Sequence, residues 1–166
     1  MNTTSPTVFT ITEGPLGNML LAASPRGLCG LWFVTGQRNT PGHAAWSRDP
    51  AHPVLAAAST QLADYFAGRL RAFDLPLDLS AGTPFQQSAW RTLLTLPWGD
   101  TITYGELARR MGRPEASRAA GVAIGRNPVS IIVPCHRVVG ANGSLTGYAG
   151  GLERKTALLR LEAHPA

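Results

Sequence analysis

The sequence predicts an α+β protein on three observations: strand-like alternation in the first third, helical periodicity from residue 84 onward, and a positive charge confined to the helical half. VFTIT, NMLLAA and GLCGLWFV read as strands, separated by the turn-like EGPLG and SPRG. Residues 36–53, rich in Gly, Pro and polar side chains, read as a loop. Over residues 54–68 Leu55, Ala58, Leu62, Tyr65 and Phe66 recur at helical spacing. FDLPLDL, 73–79, is strand-like, and its Pro76 places it at an edge. SAGTP, 80–84, is the expected linker between a first domain over 1–80 and a second over 84–166.

The second half reads as helices. Thr83 caps and Pro84 opens the first, PFQQSAWRTLLTL, with Phe85, Trp90, Leu93 and Leu94 toward a core. PWGD breaks it. TYGELARRM is a second helix, stopped by Gly112 and Pro114, and EASRAAGVAIG a third, ended by Gly125 and the Asn127–Pro128 turn. A short helix, a tight turn and another helix in a basic segment fit a helix-turn-helix; an ordinary helical hairpin fits the same pattern. The apolar run Ile131, Ile132, Val133 is expected to be extended. The glycine-rich GANGSLTGYAGG then leads to a last helix over about 152–162.

A chain of 166 residues with 44% hydrophobic and 15% charged residues can bury a core. The N-terminus has no basic region followed by an apolar stretch, and no apolar run is long enough to span a bilayer, so a soluble, cytoplasmic protein is expected. Residues 1–83 carry five Arg against five acids; residues 84–166 carry nine Arg and Lys155 against five acids, hence the whole net +5. Such a split suits a polyanion partner, although an Arg-rich composition accounts for it equally well. Cys29 and Cys135 make neither a disulfide framework nor a CxxC pair. Cys29 lies in an apolar run and reads as core. Cys29, His43 and His52 are too sparse for a structural zinc site, so no metal is expected.

The informative string is NPVSIIVPCHRVVG, 127–140. Cys135 follows three apolar residues and a proline, where a thiol is usually core filler. Here it adjoins His136 and Arg137 in a net-positive segment, and positive neighbours favour the nucleophilic thiolate. Adjacent side chains do not point the same way in a helix or strand, so His136 would act as base through a turn or, preferably, a bridging water. Glu162, at a helix C-terminus where the dipole disfavours its charge, is a candidate partner for that base; a solvated Glu at a fraying end is the plainer reading.

PCHRVVG preceded by NPVSIIV resembles the active-site signature of the O6-alkylguanine-DNA alkyltransferases. PFQQSAWRTLLTLPWGDTITYGELARRMG, ASRAAGVAIGRNP and GYAGGLERKTALL resemble the same family, so four ordered blocks match from about Pro84 to Glu162, and the first third matches more loosely. The resemblance implies a ribonuclease H-like N-terminal part, a small antiparallel sheet with a helix and no catalysis of its own. It implies a winged-helix-like C-terminal domain carrying the helix-turn-helix. By the same resemblance Cys135 is the alkyl acceptor, His136 the base acting through water and Glu162 the acid behind it. Asn127 braces the turn before the active-site segment, and Tyr104 donates to guanine N3. Arg118 enters the stack in place of the flipped nucleotide, with Ser117, Ala119, Ala120, Gly121 and Arg126 also on the DNA side. Tyr104, Val138, Tyr148, Ala149 and Gly150 wall the base pocket.

The small residues around Arg118 suit close approach to a narrow minor groove, and equally close helix packing. Tyr104 has a hydroxyl that Phe would lack, though simple packing also accounts for it. Ser130 and Ala149 stand where some members have Pro and Ser. The implied reaction is a single transfer of an alkyl group to Cys135, from guanine O6 in double-stranded DNA, after base flipping. Its product thioether has no carbonyl for water to attack. No cofactor is expected. A monomer is expected; clustering on DNA, activity on O4-alkylthymine and the range of alkyl groups stay open. A lesion sensor or helix-turn-helix regulator without transfer is the alternative, disfavoured because relatives that only bind replace the cysteine. A cysteine hydrolase would leave the basic helices unexplained.

Overall fold

The computed structural model describes residues 7–163. The outer ends of both expected domains, residues 1–6 and 164–166, lie outside that range. β1 (Val8–Thr12), β2 (Met19–Ser24) and β3 (Gly27–Phe33) pair as an antiparallel meander with β2 central. A central strand covered on both faces needs no polar side, and Met19 through Ala23 are all buried. Met19, Leu21 and Ala23 enter the main core; Leu20 and Ala22 join Trp32 in a smaller cluster on the other face. Leu28 and Leu31, three apart, nevertheless share the main core. The pairing shifts between Ala22–Gly30 and Ala23–Leu28, so Cys29 is an extra residue and its side chain falls with the outer cluster. Cys29 is therefore half-buried packing, and burial with nearby Asp78 pushes its thiol up to about 11.

Residues 36–53, expected to be loop throughout, contain a two-residue strand, β4 (Ser47–Arg48), parallel to β1. It has no alternation to betray it, because neither residue is buried; Trp46 beside it packs 6.1 Å from Trp32. α1 (Pro53–Phe66) starts with Pro53 after His52, whose Nδ1 accepts from Val54 N–H at 3.3 Å, and it buries Leu55, Ala58, Leu62 and Tyr65. FDLPLDL forms a single bridge rather than a strand: Leu28 N–H donates to Pro76 O and Asp78 N–H to Leu28 O. Pro76 brings no N–H, so the ladder stops there.

α2 (Pro84–Leu93) begins with a capping box between Thr83 and Gln86. It ends earlier than its apolar run, tightening into i→i−3 bonds at Thr95 and Leu96 before Pro97. β5 (Ile102–Thr103) leads into α3 (Tyr104–Arg110), capped by Thr103, and α4 (Ser117–Gly125) follows across a tight turn. α2, α3 and α4 pack on one another, and Trp90 Nε1–H donates to Ala123 O at 2.9 Å.

The apolar run 131–133 is not extended. Ile131 takes φ +71°, Val133 N–H closes back on Val129 O, and a 3₁₀ turn follows at Cys135–Arg137. An apolar run signals burial, and periodicity alone does not separate strand from turn. β6 (Val138–Val139) pairs in parallel with β5, and α5 (Leu152–Ala163) ends the described chain. The expected boundary at 80–84 is no break in packing. Leu31 N–H donates to Pro128 O and Ser130 N–H to Leu31 O, so the segment before the site extends the β3 edge, and one core cluster spans both halves. Among the described residues no helix is long and apolar enough to cross a membrane.

Trp90→Phe removes the bond to Ala123 and leaves unfilled volume between α2 and α4. Stability should fall by about 1–3 kcal/mol, read as a lower urea midpoint at unchanged m. An unchanged midpoint would mean that neither the bond nor the indole volume matters.

Candidate functional site

The site is assembled by one tight turn. Asn127, buried at the end of α4, accepts from Val129 N–H at 2.9 Å and donates to Val133 O at 2.8 Å. The same amide lies 3.3 Å from Cys135 Sγ as donor. A single side chain thus closes the loop and touches the thiol. Ile131 is strained within that loop; a β-branched residue at positive φ costs about 1–3 kcal/mol and persists only where its surroundings enforce it.

The two residues after Cys135 enter a buried ionic cluster. His136 Nε2 is 2.7 Å from Glu162 Oε2; Arg137 donates from Nε to Oε1 at 2.7 Å and from Nη2 to Oε2 at 3.0 Å. Tyr65, from α1, donates to Oε2 at 2.6 Å. Burial would raise the Glu162 carboxyl, but the bonds from His136, Arg137 and Tyr65 outweigh it and hold it at about 2. Burial pulls the His136 imidazole below its ordinary value, partly offset by Glu162. A neutral ring facing an acceptor-only carboxylate carries its proton on Nε2. Nδ1 then holds the lone pair, and it is buried without a protein partner.

Arg137 was expected to favour the thiolate. It turns away to Glu162 and the Leu96 carbonyl. The cation whose field lowers the Cys135 thiol is Lys155, but burial dominates and pushes the thiol above its ordinary 9.0. Lys155 Nζ donates to Val138 O at 2.7 Å and Thr146 O at 2.8 Å. Sequence reasoning missed Lys155 and Tyr65. Lys155 sits in the helical pattern of α5, and only its complete burial, visible in the fold, marks it.

Cys135 opens onto a cavity of about 100 Å³ lined also by Tyr104, Gly121, Ile124, Tyr148, Ala149 and Arg38. Of the expected wall, Tyr104, Tyr148 and Ala149 take part. Val138 does not: its side chain is core and its carbonyl is held by Lys155. Gly150 lies behind the wall, where a Cβ would come within 2.9 Å of the Tyr148 ring. The Tyr148 hydroxyl is buried without a protein partner, and burial raises its phenol well above the usual range. Tyr104 opens α3 with its ring against Gly121, where a Cβ would lie 3.3 Å away. Its hydroxyl accepts from Thr146 Oγ1 at 3.1 Å, which leaves its own hydrogen available to donate.

On α4, Arg118, Ala119, Val122 and Arg126 share the exposed face, and Ser117 is half-exposed at its start. Ala120 is fully buried against the neighbouring helices and presents nothing to a partner. Val122, 61% exposed between the two arginines, was not anticipated, since an apolar residue in a helix reads as core. Arg118 and Arg126 form no ion pair among the described residues, whereas Arg109 and Arg110 both pair with Glu106.

The family model described as 6-O-methylguanine DNA methyltransferase, DNA binding domain, matches residues 84–164; that of the ribonuclease-like domain of the same proteins matches 7–79. The methylated-DNA–protein-cysteine methyltransferase of Methanosarcina acetivorans is 48% identical over 154 residues, covering 93% of this chain and 97% of its own. That of Mycobacterium tuberculosis is 49% identical over 150 residues, covering 90% and 88%. The crystal structure of M. tuberculosis O6-methylguanine methyltransferase matches with TM-score 0.87 at 47% identity over 96% of both chains. That of M. tuberculosis OGT in complex with DNA matches with TM-score 0.86 at 47% identity, covering 94% and 92%. With both family models placed and close relatives matched over nearly the whole length, this chain belongs to the 6-O-methylguanine DNA methyltransferase family.

Proposed function

We propose that this protein repairs DNA by moving the alkyl group of O6-alkylguanine in duplex DNA onto Cys135, once per molecule. The observation that carries the reading is a buried thiol facing a small cavity, with a neutral histidine behind it whose tautomer is set by a buried carboxylate. A core-filling cysteine requires none of this. A protein that only binds lesions needs no thiol opening onto the cavity.

α4 enters the minor groove with Arg118, Val122 and Arg126 forward, and Arg118 fills the gap left by the flipped nucleotide. The base enters the cavity between Tyr104 and Tyr148. The Cys135 proton passes through a water to His136 Nδ1, and Glu162 stabilises the resulting imidazolium. The thiolate attacks the alkyl carbon in line; the S–C bond forms as the C–O6 bond breaks, and guanine leaves with the electron pair. Tyr104, donating to N3, stabilises that leaving base. Asn127 and Lys155 support the developing sulfur charge. Burial first, and then the Arg137 charge, keep the base neutral until it is needed, while Arg137 and Tyr65 share Glu162 with His136.

Intact-mass spectrometry after mixing with an O6-methylguanine duplex should show one added methyl group, mapping to Cys135. Cys135→Ala should retain lesion binding and gain no mass; a label on Cys29 would refute the assignment.

Arg118→Ala and His136→Ala should fail differently in single-turnover transfer at varied pH. Without its base the thiol ionises unaided, so the His136→Ala rate should climb by about tenfold per pH unit toward and past 9. Arg118→Ala should be slow at every pH on duplex DNA. A parallel pH response in both variants would rule out His136 as the base.

Glu162 also predicts the acid limb of stability. A carboxyl whose folded value is depressed from 4.5 to about 2 contributes fully above 4.5 and loses that contribution as pH falls toward 2. Glu162→Gln should therefore be less stable at pH 7 and lose less stability than wild type between pH 4.5 and 2, measured by urea midpoints. Parallel curves would mean the cluster does not couple to folding.

A further inference from the structure

The cavity wall at residues 146–151 leans at three places on the end of β3 and the turns that flank the N-terminal sheet. Arg38 N–H donates to Ala149 O at 3.1 Å. Gly150 lies against Phe33, the last residue of β3, where a Cβ would come within 3.3 Å of the ring. The third tie is Arg154, in the first turn of α5. Its Nε donates to Leu16 O at 3.0 Å, its Nη1 donates to Gly150 O at 3.2 Å, and its guanidinium lies 4.1 Å from the centroid of Phe33.

These contacts use what is particular to a guanidinium. Its planar fork serves two carbonyls from different parts of the chain while its face stacks on an aromatic ring; an ammonium, a point charge, cannot do all three. The space is cleared for it. Gly17, at φ +124°, and Gly36, at φ +79°, flank the guanidinium, and a Cβ on either would lie 3.1 or 3.0 Å from a terminal nitrogen. Arg154 makes no ion pair among the described residues and is half-buried. Its charge is spent on the backbone of the loop that bears Tyr148 and Ala149.

We propose that Arg154 is a positioning residue, which pins the pocket wall to the N-terminal sheet and so sets Tyr148 and Ala149 opposite Cys135. The proposal rests on the alkyl-transfer reading above. It gives the sheet a part in the reaction although the sheet carries none of the reacting groups: Leu16 and Phe33 are the fixed points, Arg154 the strut, and Gly150 the moved point.

The test is single-turnover transfer from an O6-methylguanine duplex, followed by intact mass at varied DNA concentration, with hydrogen exchange of the free protein. In Arg154→Ala the saturating rate should fall roughly tenfold, since small misplacements at a reacting centre are costly. The half-saturating DNA concentration should stay within about twofold, because the α4 face is untouched. Exchange should quicken in peptides covering 34–39 and 146–151 and not in α2 or α4. Arg154→Lys should fall between, reaching one carbonyl and not both.

A wild-type rate in Arg154→Ala overturns the proposal. So does a slow variant whose exchange quickens across the whole chain, which marks a merely structural role. Should Arg154→Ala fail to fold, Arg154→Lys decides by the same two measurements. Wild-type protein that gains no methyl group overturns the transfer reading itself, and is distinguished by needing no variant.

Discussion

One buried carboxylate governs the arrangement. Glu162 has almost no contact with solvent, and an ionised carboxyl there is tolerable only if its lone pairs are filled. Tyr65 fills them from α1, and His136 and Arg137 from neighbouring positions in the 3₁₀ turn that begins at Cys135. Removing one member of such a group costs about 3–5 kcal/mol because it strands the others. The requirement fixes the ring of His136, the direction of Arg137, and the docking of α5 and α1 on the site at once. Catalytic geometry and folding therefore depend on the same atoms.

The thiol illustrates a tension between burial and reactivity. In the resting structure burial wins, and Cys135 is held protonated despite Asn127 and Lys155. Positive charge nearby in sequence does not activate it, because Arg137 is committed elsewhere. In the transfer reading proposed above, activation falls instead to the Nδ1 lone pair of His136. A buried, protonated thiol is guarded against oxidation and off-target alkylation, because the thiolate is the reactive form.

The N-terminal sheet reaches the site along two routes. Through β3, Leu31 pairs with residues 128–130 and so supports the strained turn that presents Cys135. Through Phe33 and Leu16 it holds Arg154 and the opposite wall. The cavity is thus bounded on two sides by segments tied to β3 and the β1–β2 turn, and a site held by regular elements keeps its dimensions better than one held by loops alone.

How much of this is legible before folding differs by residue. The three strands, α1 and the capped start of α2 follow from alternation, helical spacing and Thr83 with Pro84, because those signals are local; the Thr103 cap of α3 was not read. Cys135 and His136 were nameable from a contiguous motif and its resemblance, and Glu162 from its place at a helix C-terminus and the same resemblance. Two-residue strands such as β4 and β6 leave no periodic trace, and the 131–133 run reads as strand because an apolar run reports burial and not backbone direction. Tyr65, Lys155 and Arg154 look like ordinary members of helical patterns; their work depends on partners that lie 97, 17 and 138 residues away. By itself the sequence determined the fold class and marked Cys135 and His136 as the candidate nucleophile and base, since these rest on neighbours along the chain. The tertiary structure alone decided which charge faces the thiol, which carboxyl partners are buried together and what holds the pocket wall, since electrostatics and burial act through space.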